Sequence, residues 1–204
     1  MKLLLASFDY HTIIHKKTLI LIKGVRVAPV VLMDMRMSFS GHFLIARPVL
    51  QDPNFLQTVV FLLQHDATGA FGMVVNRPLP ENVWSLPFPL YVGGPCKSEG
   101  LLMLHGHKDW LDEVTRAERQ VIPGVFIGDE STIQKGTEEF NSKKPCRFLV
   151  ITGYSGWGPG QLENEIREGA WAVVAGNHRV LFDVPDQEKW ATLLPSIIPN
   201  PSMN

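Results

Sequence analysis

The chain has 204 residues, 45% of them hydrophobic and 19% charged, and its 19 Lys and Arg against 20 Asp and Glu leave a formal net charge of −1. That balance argues against the DNA backbone as the main partner, because phosphate contacts need a surplus of cationic side chains on one face. No apolar run reaches the roughly 20 residues that span a bilayer, so no membrane partner is expected and the chain reads as one soluble, compact domain. The two cysteines, Cys96 and Cys146, stand alone without CxxC spacing, which fits reduced thiols in the cytoplasm.

In chain order, residues 1–36 carry Lys2, Lys16, Lys17, Lys23, Arg26 and Arg36 against only Asp9 and Asp34. Leu3-Leu4-Leu5-Ala6 is followed by no convincing cleavage site, so a secretory signal is not expected. Met33, Met35 and Met37 offer alternative starts. We expect 1–36 to be an extension outside the fold and 37–204 to form a single domain.

Phe43 to Ala46 is a short apolar strand. Asp52-Pro53-Asn54-Phe55 is turn chemistry. Thr58 to Leu63 is apolar on both faces and reads as a central strand. Ala70 to Val75 follows after a short turn and predicts an antiparallel hairpin. The Pro-rich stretch to Pro89 is loop. Tyr91-Val92, Gly100 to His105, Val125 to Ile127 and Arg147 to Thr152 are further strands. Asp129 or Ser131 caps a helix toward Phe140, weakened by Gly136. Gly153 to Gly160 is expected to be a glycine-rich loop, followed by a helix from Gln161 to Glu168 that Gly169 stops. Trp171 to Ala175 and Arg179 to Phe182 are expected to pair as a hairpin about Gly176-Asn177. Pro185 and Asp186 open a last helix carrying Trp190 and Leu194. Many short strands with few, late helices indicate α+β architecture.

The glycine-rich segment is the most tempting site, since a strand-to-helix turn offers backbone N–H groups to anions. No Lys-Ser or Lys-Thr follows it, and its Gly156-x-Gly158-x-Gly160 spacing is not a dinucleotide fingerprint. Glu163 and Glu165 in the first turns would satisfy the positive helix end and repel a phosphate. The segment therefore reads as a structural turn under Trp157, with Tyr154, Ser155, Gln161 and Glu163 left to line a ligand pocket. Around Ser155 the nucleophile-elbow pattern fails, because Trp157 stands where the second glycine is needed. His105-Gly106-His107 with Asp109 lacks further metal ligands nearby, so its histidines read as solvated or capping groups and no metal or cofactor is expected. Hairpin symmetry about Ala67 places Asn76 near Thr58, where Asp52 and Arg47 would join a polar cluster, the arginine neutralising Asp52.

Taken together, Gly41-His42-Phe43-Leu44-Ile45-Ala46-Arg47-Pro48, Asp52-Pro53-Asn54-Phe55, Gly69-Ala70-Phe71-Gly72, Val75-Asn76-Arg77-Pro78-Leu79 and Val92-Gly93-Gly94-Pro95 resemble the YqgE/AlgH family of bacterial proteins. The most specific match is Gly153-Tyr154-Ser155-Gly156-Trp157-Gly158-Pro159-Gly160-Gln161-Leu162-Glu163 with Glu165 and Trp171. The resemblance spans about Met37 to Trp190 and implies a mixed, bifurcated sheet with a small barrel-like part, surrounded by helices. Some family members carry the label of transcriptional regulator. This chain has no helix-turn-helix pattern and no basic recognition helix, so any effect on transcription is expected through a protein or small-molecule partner.

No complete catalytic set is visible. The first reading is thus a non-catalytic regulatory or binding protein of the bacterial cytosol, with Arg47, Asp52, Asn76, Tyr154, Ser155, Trp157, Gln161 and Glu163 as candidate ligand-binding residues. A small-molecule enzyme with Glu163 or His65 as general base is the alternative. A direct DNA-binding regulator ranks last.

Overall fold

The computed structural model describes residues 38–80, 86–142 and 146–194. The expectations for 1–36 and for the alternative starts lie outside the described residues.

Among the described residues, nine strands run in the order β1 (His42–Ala46), β2 (Val59–Asp66), β3 (Gly69–Val74), β4 (Leu90–Val92), β5 (Cys96–His105), β6 (Gln120–Ile122), β7 (Val125–Gly128), β8 (Phe148–Trp157) and β9 (Trp171–Ala175). Five α-helices accompany them among these residues, besides a 3-10 turn at Lys108–Trp110: α1 (Glu113–Arg119), α2 (Glu130–Asn141), α3 (Gln161–Arg167), α4 (His178–Phe182) and α5 (Asp186–Leu193). Across the sheet the strands lie β6-β7-β5-β8-β3-β2-β1-β9, with β4 also on β8. All pairings are antiparallel except β4 with β8. The sheet curls into a half-barrel, and the architecture is mixed α+β as the sequence predicts.

β1 and β2 are apolar on both faces because both faces are covered. Phe43, Ile45, Val59 and Phe61 pack toward Val180, Leu181 and Leu193 of α4 and α5. Leu44, Ala46, Val60 and Leu62 point the other way, into a second core with Trp157, Leu162 and Trp171. A third cluster, around Phe88, Met103, Phe148 and Val150, lies against Ile133 and Phe140 of α2. The predicted hairpin of β2 and β3 is present, with Val60 opposite Val74 and Asp66 opposite Gly69.

The bifurcation sits in β8. Phe148 to Thr152 pair with β5, whereas Ser155 to Trp157 pair with β3. Gly153 lies at the changeover with φ of +70°, and a Cβ there would come 2.8 Å from the Cys96 carbonyl oxygen. Only glycine meets both demands without strain. The expected loop from Gly153 is therefore corrected: the strand continues through Trp157 and the turn is confined to Gly158-Pro159-Gly160. Partner strands satisfy the backbone that glycine content suggested was a turn.

The expected hairpin about Gly176-Asn177 is also corrected. β9 pairs instead with β1, Ala46 opposite Trp171 and His42 opposite Ala175. Residues 178–182 form α4, because the Asn177 side chain accepts the Arg179 backbone N–H at 2.8 Å and caps a helix. The choice left open at α2 falls to Asp129, whose Oδ1 accepts from the amides of Ser131 and Thr132. α1 and β6 had no counterpart in the sequence reading. α1 starts at Asp112, whose Oδ1 accepts from Thr115 N at 3.0 Å.

Candidate functional site

α3 starts where the glycine turn leaves β8, and its last turns swing Glu165 into the core below Trp157. Glu165 is 5% exposed. Its Oε2 accepts the indole N–H of Trp157 at 2.9 Å and that of Trp171 at 2.8 Å. Its Oε1 accepts the Gln161 amide at 2.9 Å. Phe55 completes the nest, stacked 6.2 Å from Trp157 and edge-on 5.2 Å from Trp171. A buried carboxylate is tolerated because three donors replace its hydration. The expectation that Glu165 faces the helix N-terminus is thus corrected. The Gly158 amide is taken by Gln161 Oε1 at 3.0 Å, not by an acid.

The structure divides the other candidate residues. Trp157 is 1% exposed. Ser155 is fully buried and donates its hydroxyl to the Gly93 carbonyl at 3.0 Å. Tyr154 packs on Phe71, ring centroids 5.1 Å apart. Asn76 lies beside Thr58 as hairpin symmetry predicts, and its side chain bridges the strands by accepting from Val59 N at 2.9 Å and donating to the Gln57 carbonyl at 3.0 Å. The expected pairing of Arg47 with Asp52 is corrected. Arg77 instead closes the 52–57 loop, donating to the carbonyls of Asn54 at 2.7 Å and Leu56 at 2.8 Å, and it is Arg77 that feels the Asp52 charge. Arg47 lies by Gly169, with Nη1 3.8 Å from where a Cβ would stand.

Asp52 and Glu165 line one cleft. Together with Val49, Leu50, Pro53, Glu168 and Trp171 they line a cleft of about 520 Å³ between the 49–53 loop and the end of α3. Val49, 70% exposed, is one of the three large apolar side chains exposed among the described residues, and it lines this cleft. Tyr154, Ser155, Gln161, Glu163, Arg47 and Asn76 are not among the cleft's lining residues. Sequence reasoning missed Glu168 and Val49. Gln161 four residues before Glu165, between two tryptophans, was the available signal for the buried acid.

The alternative general bases are neighbours. His65 Nδ1 accepts the Phe39 backbone N–H at 3.1 Å, which leaves the proton on Nε2, 3.4 Å from Glu163 Oε1. The solvated reading of the His105-Gly106-His107 motif is corrected for His105, whereas the capping one holds there, its Nδ1 accepting the His107 backbone N–H at 3.3 Å. His105 is fully buried, 5.2 Å from the Trp110 ring and 5.6 Å from Phe126. His107 stacks 4.2 Å from Trp110, with Nε2 2.9 Å from Glu139 Oε1. Burial pushes the His105 pKa down to about 4. No group of three or more His, Cys, Asp or Glu side chains able to hold a metal ion occurs among the described residues. Among them, no helix is long and apolar enough to cross a membrane.

The half-barrel α+β domain defines a class of fold, and solved structures of similar fold include the following two. The solution structure of the AlgH protein from Pseudomonas aeruginosa matches with a TM-score of 0.60 and 29% identity, covering 82% of this chain and 93% of that one. A crystal structure of a protein from Corynebacterium diphtheriae matches in fold, with a TM-score of 0.62 and 20% identity over 79% of this chain and 87% of that one. A UPF0301 protein of Nitrosococcus oceani is 35% identical over 172 residues, 74% of this chain and 86% of the relative. Another, of Burkholderia mallei, is 33% identical over 183 residues, 78% and 88%. The family model described as DUF179, AlgH-like, matches residues 43–202. This chain belongs to the AlgH-like family.

Proposed function

We propose that this protein is a non-catalytic regulatory protein of the bacterial cytosol, and that it works by docking a protein partner in the cleft between the 49–53 loop and α3. The cleft itself supports the reading: its wall is apolar, through Val49, Leu50 and Trp171, and its acidic members are Asp52, Glu165 and Glu168. Exposed apolar side chains beside acids suit a partner segment that carries both apolar and basic residues. Glu165 has its acceptors committed to three donors, and Ser155 spends its hydroxyl on the backbone. Both groups serve rigidity, and neither is poised for turnover.

A photo-crosslinking residue placed at Val49 tests this in cells. It should give a discrete adduct that Glu168→Lys removes. The same residue at Val114, which is 69% exposed elsewhere on the molecule, should not give that adduct. Identical adducts from both positions, or none from Val49, would refute the reading.

The enzyme alternative keeps one specific observation, the approach of His65 to Glu163. It requires that Glu163→Gln abolish a turnover of the folded protein. A Glu163→Gln protein with all measurable activity intact would remove it.

A further inference from the structure

Among the described residues β9 is an edge strand, paired with β1 alone. Its hydrogen bonds to β1 follow one alternation. Ala170 accepts the Arg47 N–H at 3.0 Å, and Gly176 donates to the Gly41 carbonyl at 2.9 Å. Ala172 and Val174 stand in the same phase as these two residues. The N–H and C=O groups of Trp171, Val173 and Ala175 therefore point away from β1, and they have no backbone partner among the described residues.

Open sheet edges invite pairing, and proteins blunt them with charge, proline, a bulge or brevity. The opposite edge is blunted in this way: β6 has three residues and a shifted register against β7. β9 has five residues, an unbroken register with β1, and the sequence Trp-Ala-Val-Val-Ala, with neither charge nor proline. Nothing in its own sequence protects that edge.

The two ends of β9 say what covers it. Trp171 lines the cleft together with Asp52 and Glu168, so a strand laid along β9 needs a cation at that end. At the other end the described chain begins. Gly41 holds Gly176, and Phe39 packs on the core that Trp171 and Val173 join. The residues before Ser38 are thus tethered beside β9. Among them Thr18-Leu19-Ile20-Leu21-Ile22 is an apolar run rich in β-branched residues, equal in length to β9. Lys16 and Lys17 precede it and Lys23 follows it, so a lysine meets the cleft whichever way the run lies. Residues 23–37 span up to about 50 Å when extended, and a five-residue strand is only about 17 Å long.

We propose that residues 18–22 of this chain add to the free edge of β9 as a further strand, with their flanking lysines against Asp52 and Glu168. The segment then covers the Trp171 side of the cleft and must leave before a partner enters. That consequence rests on the docking reading above, whereas the pairing itself does not.

Amide hydrogen exchange of the full chain, followed by NMR, tests the proposal. The amides of Trp171, Val173 and Ala175 should be protected alongside those of Ala172 and Val174, which face β1. Proline lacks the N–H and strand residues alternate in direction, so one of Ile20→Pro and Leu21→Pro removes a donor that faces β9. That variant should exchange on the order of tenfold faster or more at Trp171, Val173 and Ala175, with Ala172 and Val174 unchanged as proof that the sheet is intact. Reversing the lysines together, Lys16→Glu with Lys17→Glu and Lys23→Glu, should act in the same direction. Fast exchange at the three amides in the unsubstituted chain, or no response to either proline or to the charge reversal, would each overturn the proposal. So would protection that rises with protein concentration, which would assign the edge to a second copy. None of these outcomes bears on crosslinking at Val49, so the pairing and the docking reading fail separately.

Discussion

Glu165 shows how one side chain can organise a region. It accepts from two indoles on different strands and from an amide on its own helix, so it fixes where α3 sits on the sheet. Glu165→Ala would leave two buried indole N–H groups unpaired, at about 1–3 kcal/mol each. Urea unfolding followed by tryptophan fluorescence should therefore show a loss of about 3 kcal/mol, and Glu165→Gln a smaller one, because it keeps an acceptor. His105 carries a pH signature. Burial first, then the neighbouring charges of His107 and Arg119, lower its pKa from 6.5 to about 4. The folded state then binds fewer protons than the unfolded state between those values. Stability is complete above about pH 6.5 and falls as the pH drops toward 4. His107, also lowered mainly by burial and opposed by Glu139, adds in the same sense. A loss on the order of 2–3 kcal/mol across that window is expected in urea titrations, and His105→Phe should flatten it. A stability curve level from 6.5 to 4 in the native protein would contradict the assignment.

At the level of elements, β8 is the part on which the architecture turns. It serves one half of the sheet up to Thr152 and the other from Ser155, and the reversal needs Gly153 in a left-handed conformation against Cys96. Gly153→Ala combines a left-handed penalty of about 1–2 kcal/mol with a backbone clash. Its melting temperature should drop by more than that of Gly100→Ala, since nothing lies within 4 Å of a Cβ at Gly100. This element also marks a boundary of sequence reading. The run of glycines from Gly153 was legible, but their purpose was not. Turn propensity and close strand approach both select glycine, and only the neighbouring strands distinguish them. At Asn177 a similar ambiguity was decided against the hairpin, because the same side chain that suits a tight turn also caps a helix.

For the whole molecule, the nested cores predict an order of opening. β2 and β3 lie mid-sheet, pair with each other and with β1 and β8, and are largely buried. α1 has no buried residue. Hydrogen exchange should be slowest for the amides of β2 and β3 and fastest along α1, which touches the body chiefly through β7. Slow exchange in α1 would mean that something covers it in solution.

The amino-acid order alone determined the α+β class, the β2–β3 hairpin with Asn76 beside Thr58, helices near Asp129 or Ser131, at Gln161 and at Asp186, and the family. Each of these rests on local periodicity, capping or a contiguous motif, and such signals survive in one dimension. The tertiary structure alone decided that β9 lies on β1, that Arg77 and not Arg47 closes the 52–57 loop, that Glu165 is held by Trp157 and Trp171, and that Tyr91 meets Asp186 and Lys189. Those contacts join residues far apart in the chain, or choose between equivalent neighbours. Their energy comes from burial and from donors that must find acceptors once water is excluded, and neither condition exists until the sheet has closed.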